Sequence, residues 1–192
     1  LDQASKKLPP GAGGSSFEFI DASALFGELK LARGSTFLDL ACGRGMYTLA
    51  AWEFVGAEGR LYALDLWEEG IESLRQSASS RGITNITARV SDVGKRIPIE
   101  SGVVDVCLIA TVLHDLVEAQ QVQGALKEVT RVLKKGGLLA VIEFKKIDAP
   151  PGPPRQIRLE PEEVENLITP FGFAKKRTLE LGPYHYLITF IL

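Results

Sequence analysis

Phe37-Leu-Asp-Leu-Ala-Cys-Gly-Arg-Gly-Met-Tyr-Thr-Leu-Ala50 passes from a short apolar strand through an acidic residue and a glycine-punctuated turn into a helix. A strand that ends this way leaves backbone N–H groups and a helix N-terminus at the carboxyl edge of a sheet, where α/β folds bind nucleotide-like ligands. Gly43 and Gly45 let the backbone come close to a ligand that a side chain would hold off. Asp39 argues against a phosphate, because a carboxylate aimed into the same turn repels one and suits a cationic or hydrogen-donating group such as an amino acid's ammonium. A dinucleotide fingerprint has glycine at the place held here by Thr48, which weakens the phosphate reading further.

Outward from that turn, strands and helices alternate with little filler. Strands are predicted at Thr36–Leu40, Arg60–Asp65, Ile86–Val90, Val103–Ala110 and Leu138–Phe144, with helices at Met46–Phe54, Glu68–Arg81 and Glu118–Leu133. The last helix carries Val122, Ala125, Leu126, Val129 and Val132 on one face, and Lys134-Lys-Gly-Gly137 reads as its cationic last turn and glycine stop. A short helix is expected from Asp21 to about Leu31. The alternation implies a parallel sheet covered on both faces. Beyond Phe144, Asp148-Ala-Pro-Pro-Gly-Pro-Pro154 must be a stiff surface loop. Pro161 opens a helix that Gly172 ends, and Ala174–Leu181 with Tyr184–Leu192 reads as a terminal β-hairpin.

Each of the first three strands also delivers an acid to the same edge. Asp39 belongs to the glycine turn, Asp65 closes the second strand about twenty residues on, and Asp92 follows the third. An acid at the position of Asp65 accepts hydrogen bonds from both hydroxyls of a ribose. With these neighbours, the Asp39 to Gly45 segment resembles motif I of the class I S-adenosylmethionine-dependent methyltransferases, acidic-x-Gly-x-Gly-x-Gly, and departs from it in having Ala41 for the first glycine.

The resemblance covers roughly Phe19 to Leu192, and it implies a Rossmann-like seven-stranded, mostly parallel sheet ending in an antiparallel hairpin strand. It implies S-adenosylmethionine as cofactor and S-adenosylhomocysteine as product, held by Asp39, Ala41, Gly43 and Gly45. Asp65 would take the ribose, and Leu66 and Trp67 would wall the base. Asp92 would accept from the adenine amino group, the Val93 N–H would donate to the ring, and Thr111 would meet the methionine moiety. The family turns the end of the fourth strand toward the methyl acceptor, which nominates His114 for catalysis there, beside Asp115 as its orienter or as a helix cap. The Lys134–Gly137 turn and the His114-Asp115 segment are most similar to the small ubiquinone- and menaquinone-biosynthesis C-methyltransferases. Lys145, Lys146, Arg155 and Arg158 form the one local basic cluster, which would cover the site and favour an anionic acceptor.

Composition bounds the rest. One domain over 17–192 is expected after a Gly/Pro/Ser-rich tail, 1–16, and the missing initiator Met suggests a trimmed chain. A net charge of −2 argues against nucleic acid, and no apolar run approaches the roughly 20 residues of a membrane span. Cys42 and Cys107 lack the spacing of a metal site or disulfide framework, so no metal and a cytoplasmic setting are expected, as monomer or homodimer. A small-molecule acceptor is the expected partner. The alternatives are an S-adenosylmethionine-binding sensor that moves no methyl group and an NAD-binding oxidoreductase, the second disfavoured by Asp39, Thr48 and the terminal hairpin.

Overall fold

The computed structural model describes residues 14–192. A 3-10 turn at Ser16–Phe19 leads into helix α1 (Ala22–Leu29) and then the alternating series β1 (Thr36–Leu40), α2 (Met46–Val55), β2 (Arg60–Asp65), α3 (Glu68–Ser80) and β3 (Ile86–Val90). There follow β4 (Val104–Ala110), α4 (Leu113–Glu118), α5 (Val122–Val132), β5 (Leu133–Phe144), α6 (Pro161–Ile168), β6 (Ala174–Glu180) and β7 (His185–Ile191). The seven strands form one sheet in the order β3-β2-β1-β4-β5-β7-β6, parallel through β5, with β7 antiparallel to both of its neighbours. The expected seven-stranded sheet with its reversed last strand is therefore what the chain builds.

The period-2 placement of side chains explains how both faces are filled. On β4, Val106 and Leu108 face the core under α1 and α2, while Cys107 and Ile109 face the core under α5 and α6. β5 repeats the division with Leu138, Ala140 and Ile142 on one side and Leu139 and Val141 on the other. Near-continuous apolar strands arise because each residue buries on one face or the other, which stabilises by about 1.5–3 kcal/mol per large side chain.

Two boundaries differ from the sequence reading, each for a tertiary reason. The predicted helix Glu118–Leu133 is α5, which starts four residues later at Val122, after Gln120 takes φ +57° and separates it from α4, a helix that the sequence reading did not include. At the break Gly124 packs so closely on the Gly94 carbonyl that a Cβ would stand 2.3 Å from it. Lys134 to Gly137 do not end a helix. They open β5, where Leu133 pairs with Val104 and the Lys134 Nζ lies 2.6 Å from Asp105 Oδ1 on β4. The proposed tail falls mostly on residues 1–13, outside the described residues, whereas Ser16 is buried.

Candidate active site

Strand order reverses direction between β1 and β4, so the turns that follow these strands leave in opposite directions and open a crevice at the carboxyl edge. A cavity of about 190 Å³ occupies it. Ala41, Gly43 and Arg44 after β1, Asp65 at the end of β2, Val93 after β3 and Thr111 after β4 all face it. Seven of those predicted as ligand-binding therefore meet in one place: Ala41, Gly43, Asp65, Leu66, Trp67, Val93 and Thr111.

The turn is held from below and from the side. Asp65 Oδ2 accepts the Gly43 N–H at 2.7 Å and Oδ1 accepts the Trp67 N–H at 2.7 Å, so one carboxylate ties the end of β2 to the glycine turn and to the start of α3. Gly43 has φ +55°, and a Cβ built on it meets no atom of the described residues within 4 Å: its bare face looks into the cavity. Gly45, at φ +71°, is different, because a Cβ there would lie 2.5 Å from both methyl carbons of Leu74 on α3. Gly45 serves packing, and Gly43 leaves room. Ala41 at φ +59° and Thr111 at φ +53° are non-glycine residues in the left-handed region on the cavity wall; for a β-branched residue this is an outlier, the kind of local strain that concentrates at functional sites.

Asp39 does not reach the cavity. It is 1% exposed, lies on the central strand β1 and accepts the Thr48 hydroxyl at 2.6 Å. Burial, aided by the nearby Asp65 charge, outweighs that hydrogen bond and lifts its pKa to about 7. Because the folded state holds this proton more tightly than the unfolded chain, the site costs stability progressively as pH rises from 3.8 to about 7, and fully above that. Asp39→Asn should therefore stabilise the domain, and by about 2.6 kcal/mol more at pH 8 than at pH 5, at roughly 1.4 kcal/mol per pH unit. Urea unfolding of parent and variant at the two pH values measures the difference, and an equal effect at both would place the proton elsewhere.

Asp92 takes up turn chemistry: its Oδ1 accepts the Gly94 N–H at 3.1 Å and its Oδ2 lies 3.0 Å from Lys95 Nζ, while its neighbour Val93 provides cavity wall. Over the Trp67 ring stands a group the sequence reading passed over, the Arg44 guanidinium, 5.2 Å from the ring centroid. Tyr47 and Ser16 were also missed. The Ser16 Oγ is 2.8 Å from the Tyr47 hydroxyl and 3.3 Å from Thr111 Oγ1, and Phe17 meets the Tyr47 ring edge-on, which fastens the N-terminal 3-10 turn against the cavity.

His114 is buried at 4% exposure in α4 rather than facing the cavity. Its Nδ1 lies 2.8 Å from Oε2 and 3.0 Å from Oε1 of Glu143, a fully buried carboxylate on β5 that also accepts the backbone N–H groups of His114 and Phe144. Burial alone would lower the imidazole pKa, but Glu143 and Asp115 together hold it above the ordinary value. The basic cluster is spent on structure. Lys146 pairs with Glu163, Lys145 reaches Glu180 and the Gly182 carbonyl, and Arg155 donates to the Lys146 carbonyl. Arg158, 3% exposed, donates to the carbonyls of Lys145, Ala149, Pro151 and Pro153. None of the four lines the cavity.

Comparison with known proteins agrees with this geometry. Residues 31–180 match the family described as "Methyltransferase domain". The demethylmenaquinone methyltransferase of Geobacillus stearothermophilus is 30% identical over 116 residues, 60% of this chain and 48% of its own length. The ubiquinone/menaquinone biosynthesis C-methyltransferase of Idiomarina loihiensis is 32% identical over 114 residues, 59% of this chain and 44% of its own length. This chain thus spans less than half the length of these relatives. The crystal structure of an S-adenosylmethionine-dependent methyltransferase from Aquifex aeolicus superimposes with a TM-score of 0.82 at 28% identity, over 95% of this chain and 93% of that one. The glycine turn, the acid that anchors it and the reversed last strand are accounted for together: the chain belongs to the class I, S-adenosylmethionine-dependent methyltransferase domain family.

Proposed function

We propose that this protein transfers a methyl group from S-adenosylmethionine to a small-molecule acceptor. The observation that carries the reading is the pairing of Gly43 and Asp65: a bare backbone face open to the cavity, tethered at 2.7 Å by a carboxylate whose remaining lone pairs are free to accept from a ribose. Leu66 and Trp67 offer apolar walls to a base, and the Val93 backbone offers its edge contact. Thr111, at the end of β4, suits the amino-acid end of the cofactor, while Asp39 acts through Thr48 as a support for the turn. When bound, S-adenosylmethionine supplies an electrophilic methyl carbon on a positively charged sulfur. What the chain contributes is alignment: a fixed cofactor pocket, and the β4–α4 corner beside it for the acceptor, with orientation supplying much of the acceleration of an in-line displacement. Quinone-type acceptors, which the relatives' names carry, fall within the small-molecule class.

Asp65→Ala removes charged hydrogen bonds to the ribose and frees the Gly43 N–H, so S-adenosylhomocysteine affinity should fall by about 1–3 kcal/mol, roughly 5- to 150-fold. Calorimetry reads it. NAD binding as tightly as S-adenosylhomocysteine would overturn the cofactor assignment. Incubation with methyl-labelled S-adenosylmethionine and a small-metabolite extract separates an enzyme, which moves the label, from a sensor, which only binds.

A further inference from the structure

At the β4–α4 corner one polar side chain faces the cavity without a hydrogen bond among the described residues: Asp115, whose side chain is 24% exposed. It caps no helix, since α4 starts at Leu113 with Val112 as its N-cap and no side-chain cap bond. Behind it is a second layer. His114 Nε2 stands 3.7 Å from Asp115 Oδ1, too long for a hydrogen bond and close enough for charge, while Nδ1 is clamped by Glu143 at 2.8 Å. Glu143 accepts three N–H groups, two from the backbone and one from the ring, which fixes the imidazole with Nδ1 as donor and its other edge toward Asp115. A fully buried carboxylate in the otherwise apolar Leu138–Phe144 part of β5 needs partners this complete. The charged groups around Asp115 are His114 and Glu118 on its own helix and Glu143 on β5, with Arg158 acting on His114 from the loop before α6.

We propose that Asp115 is the catalytic residue on the acceptor side, taking the proton from the acceptor's nucleophilic atom, and that His114, clamped by Glu143, is its positioning residue; this rests on the methyl-transfer reading. In the step, the acceptor's X–H bond breaks and its proton passes to an Asp115 oxygen. The X electron pair forms the new bond to the methyl carbon, and the electrons of the methyl–sulfur bond return to sulfur. A carboxylate on a wall shaped by Val112, Leu116 and Ala119, with Thr111 and Gln121 at its two ends, selects the acceptor class: neutral, largely apolar, and carrying an O–H or N–H donor. This replaces the anionic acceptor suggested by the basic cluster, whose members the fold uses elsewhere.

The test uses phenol and benzoate, one ring bearing either a neutral donor or an anion, added to the S-adenosylhomocysteine complex. Phenol should bind at least about tenfold more tightly than benzoate, and Asp115→Asn should erase that preference while S-adenosylhomocysteine affinity stays within about twofold of the parent. Benzoate equal to or tighter than phenol, or an unchanged preference in Asp115→Asn, would overturn the assignment. If S-adenosylhomocysteine itself does not bind the parent, the methyl-transfer reading fails instead, so the two failures are told apart. The positioning role has its own readout, because the chain has only two histidines and each ring can be followed by nitrogen-detected NMR. His114 should titrate above the ordinary histidine value in the parent and fall by about one pH unit or more in Glu143→Gln, an exchange that keeps shape and removes charge. A His114 midpoint that does not move would remove Glu143 from the device, and if Glu143→Gln does not fold, a His114 midpoint lowered in Asp115→Asn supports the coupling and an unmoved one refutes it.

Discussion

Gly45→Val should destabilise the domain by about 2–5 kcal/mol, while Gly43→Val, two residues away, should leave it folded and unable to hold the cofactor. Both positions are left-handed, which costs an L side chain roughly 1–2 kcal/mol. At Gly45 the added carbons must also displace Leu74, a fully buried residue of α3, and forced overpacking adds roughly 1–3 kcal/mol. A loss of that size is a large share of a total of about 5–15 kcal/mol. At Gly43 there is nothing to displace among the described residues, so the valine projects into the cavity, and S-adenosylhomocysteine affinity should drop on the order of 100-fold, near 2.7 kcal/mol. Urea unfolding and calorimetry on both variants give the four numbers. A stable Gly45→Val protein that has lost only binding would exchange the two roles.

Arg158→Ala is the second large effect, expected at about 3 kcal/mol or more of stability. Four charge-assisted hydrogen bonds, between 2.7 and 3.0 Å, gather carbonyls from Lys145, Ala149, Pro151 and Pro153 around one guanidinium, which also lies 5.5 Å from the Phe144 ring centroid. Bonds of this kind contribute roughly 1.5–3 kcal/mol each when taken singly, and the sum is reduced because a released loop regains water. The proline-rich segment supplies few N–H groups of its own, so its carbonyls have few local partners and depend on this side chain. Hydrogen exchange across 145–158 should rise together with the fall in stability. Arg158→Lys should recover less than half, since a single ammonium cannot address four carbonyls in a planar fork. Full rescue by lysine would mean that charge alone holds the loop.

The strands were legible because their signals are local. β1, β2 and β3 begin and end where the sequence reading put them, as each closes at a polar or glycine turn. The whole of α4 and the start of α5 were not, because no side-chain cap marks either start and the close approach of Gly124 to Gly94 joins residues far apart in the chain. The cavity's place was readable from the acids at successive strand ends, although only Asp65 of the three faces it; Asp39 and Asp92 are turned into the protein's own hydrogen bonds. Glu143 was overlooked inside Leu138–Phe144, yet it left a trace. One carboxylate in an apolar central strand must find a partner, and His114 is one of only two histidines available to it. Ser16 and Tyr47 gave no such signal, since their meeting depends on where the N-terminal turn docks.

The outer strand β6 bears on a different matter, the behaviour of the molecule at high concentration. It ends the sheet with a row of backbone groups that another chain's strand could adopt, the usual route to edge-to-edge aggregation. Lys175, Lys176 and Arg177 stand on that strand, and the pairing of β6 with β7 is irregular between Lys175 and Arg177. A strand arriving there would have to strip water from three cations and break the pairs that Lys175 makes with Glu165 and Lys176 with Glu28. At the opposite edge β3 offers Val90, 47% exposed, and a single arginine, Arg89, so whatever tendency this sheet has to grow into a fibre should start from β3.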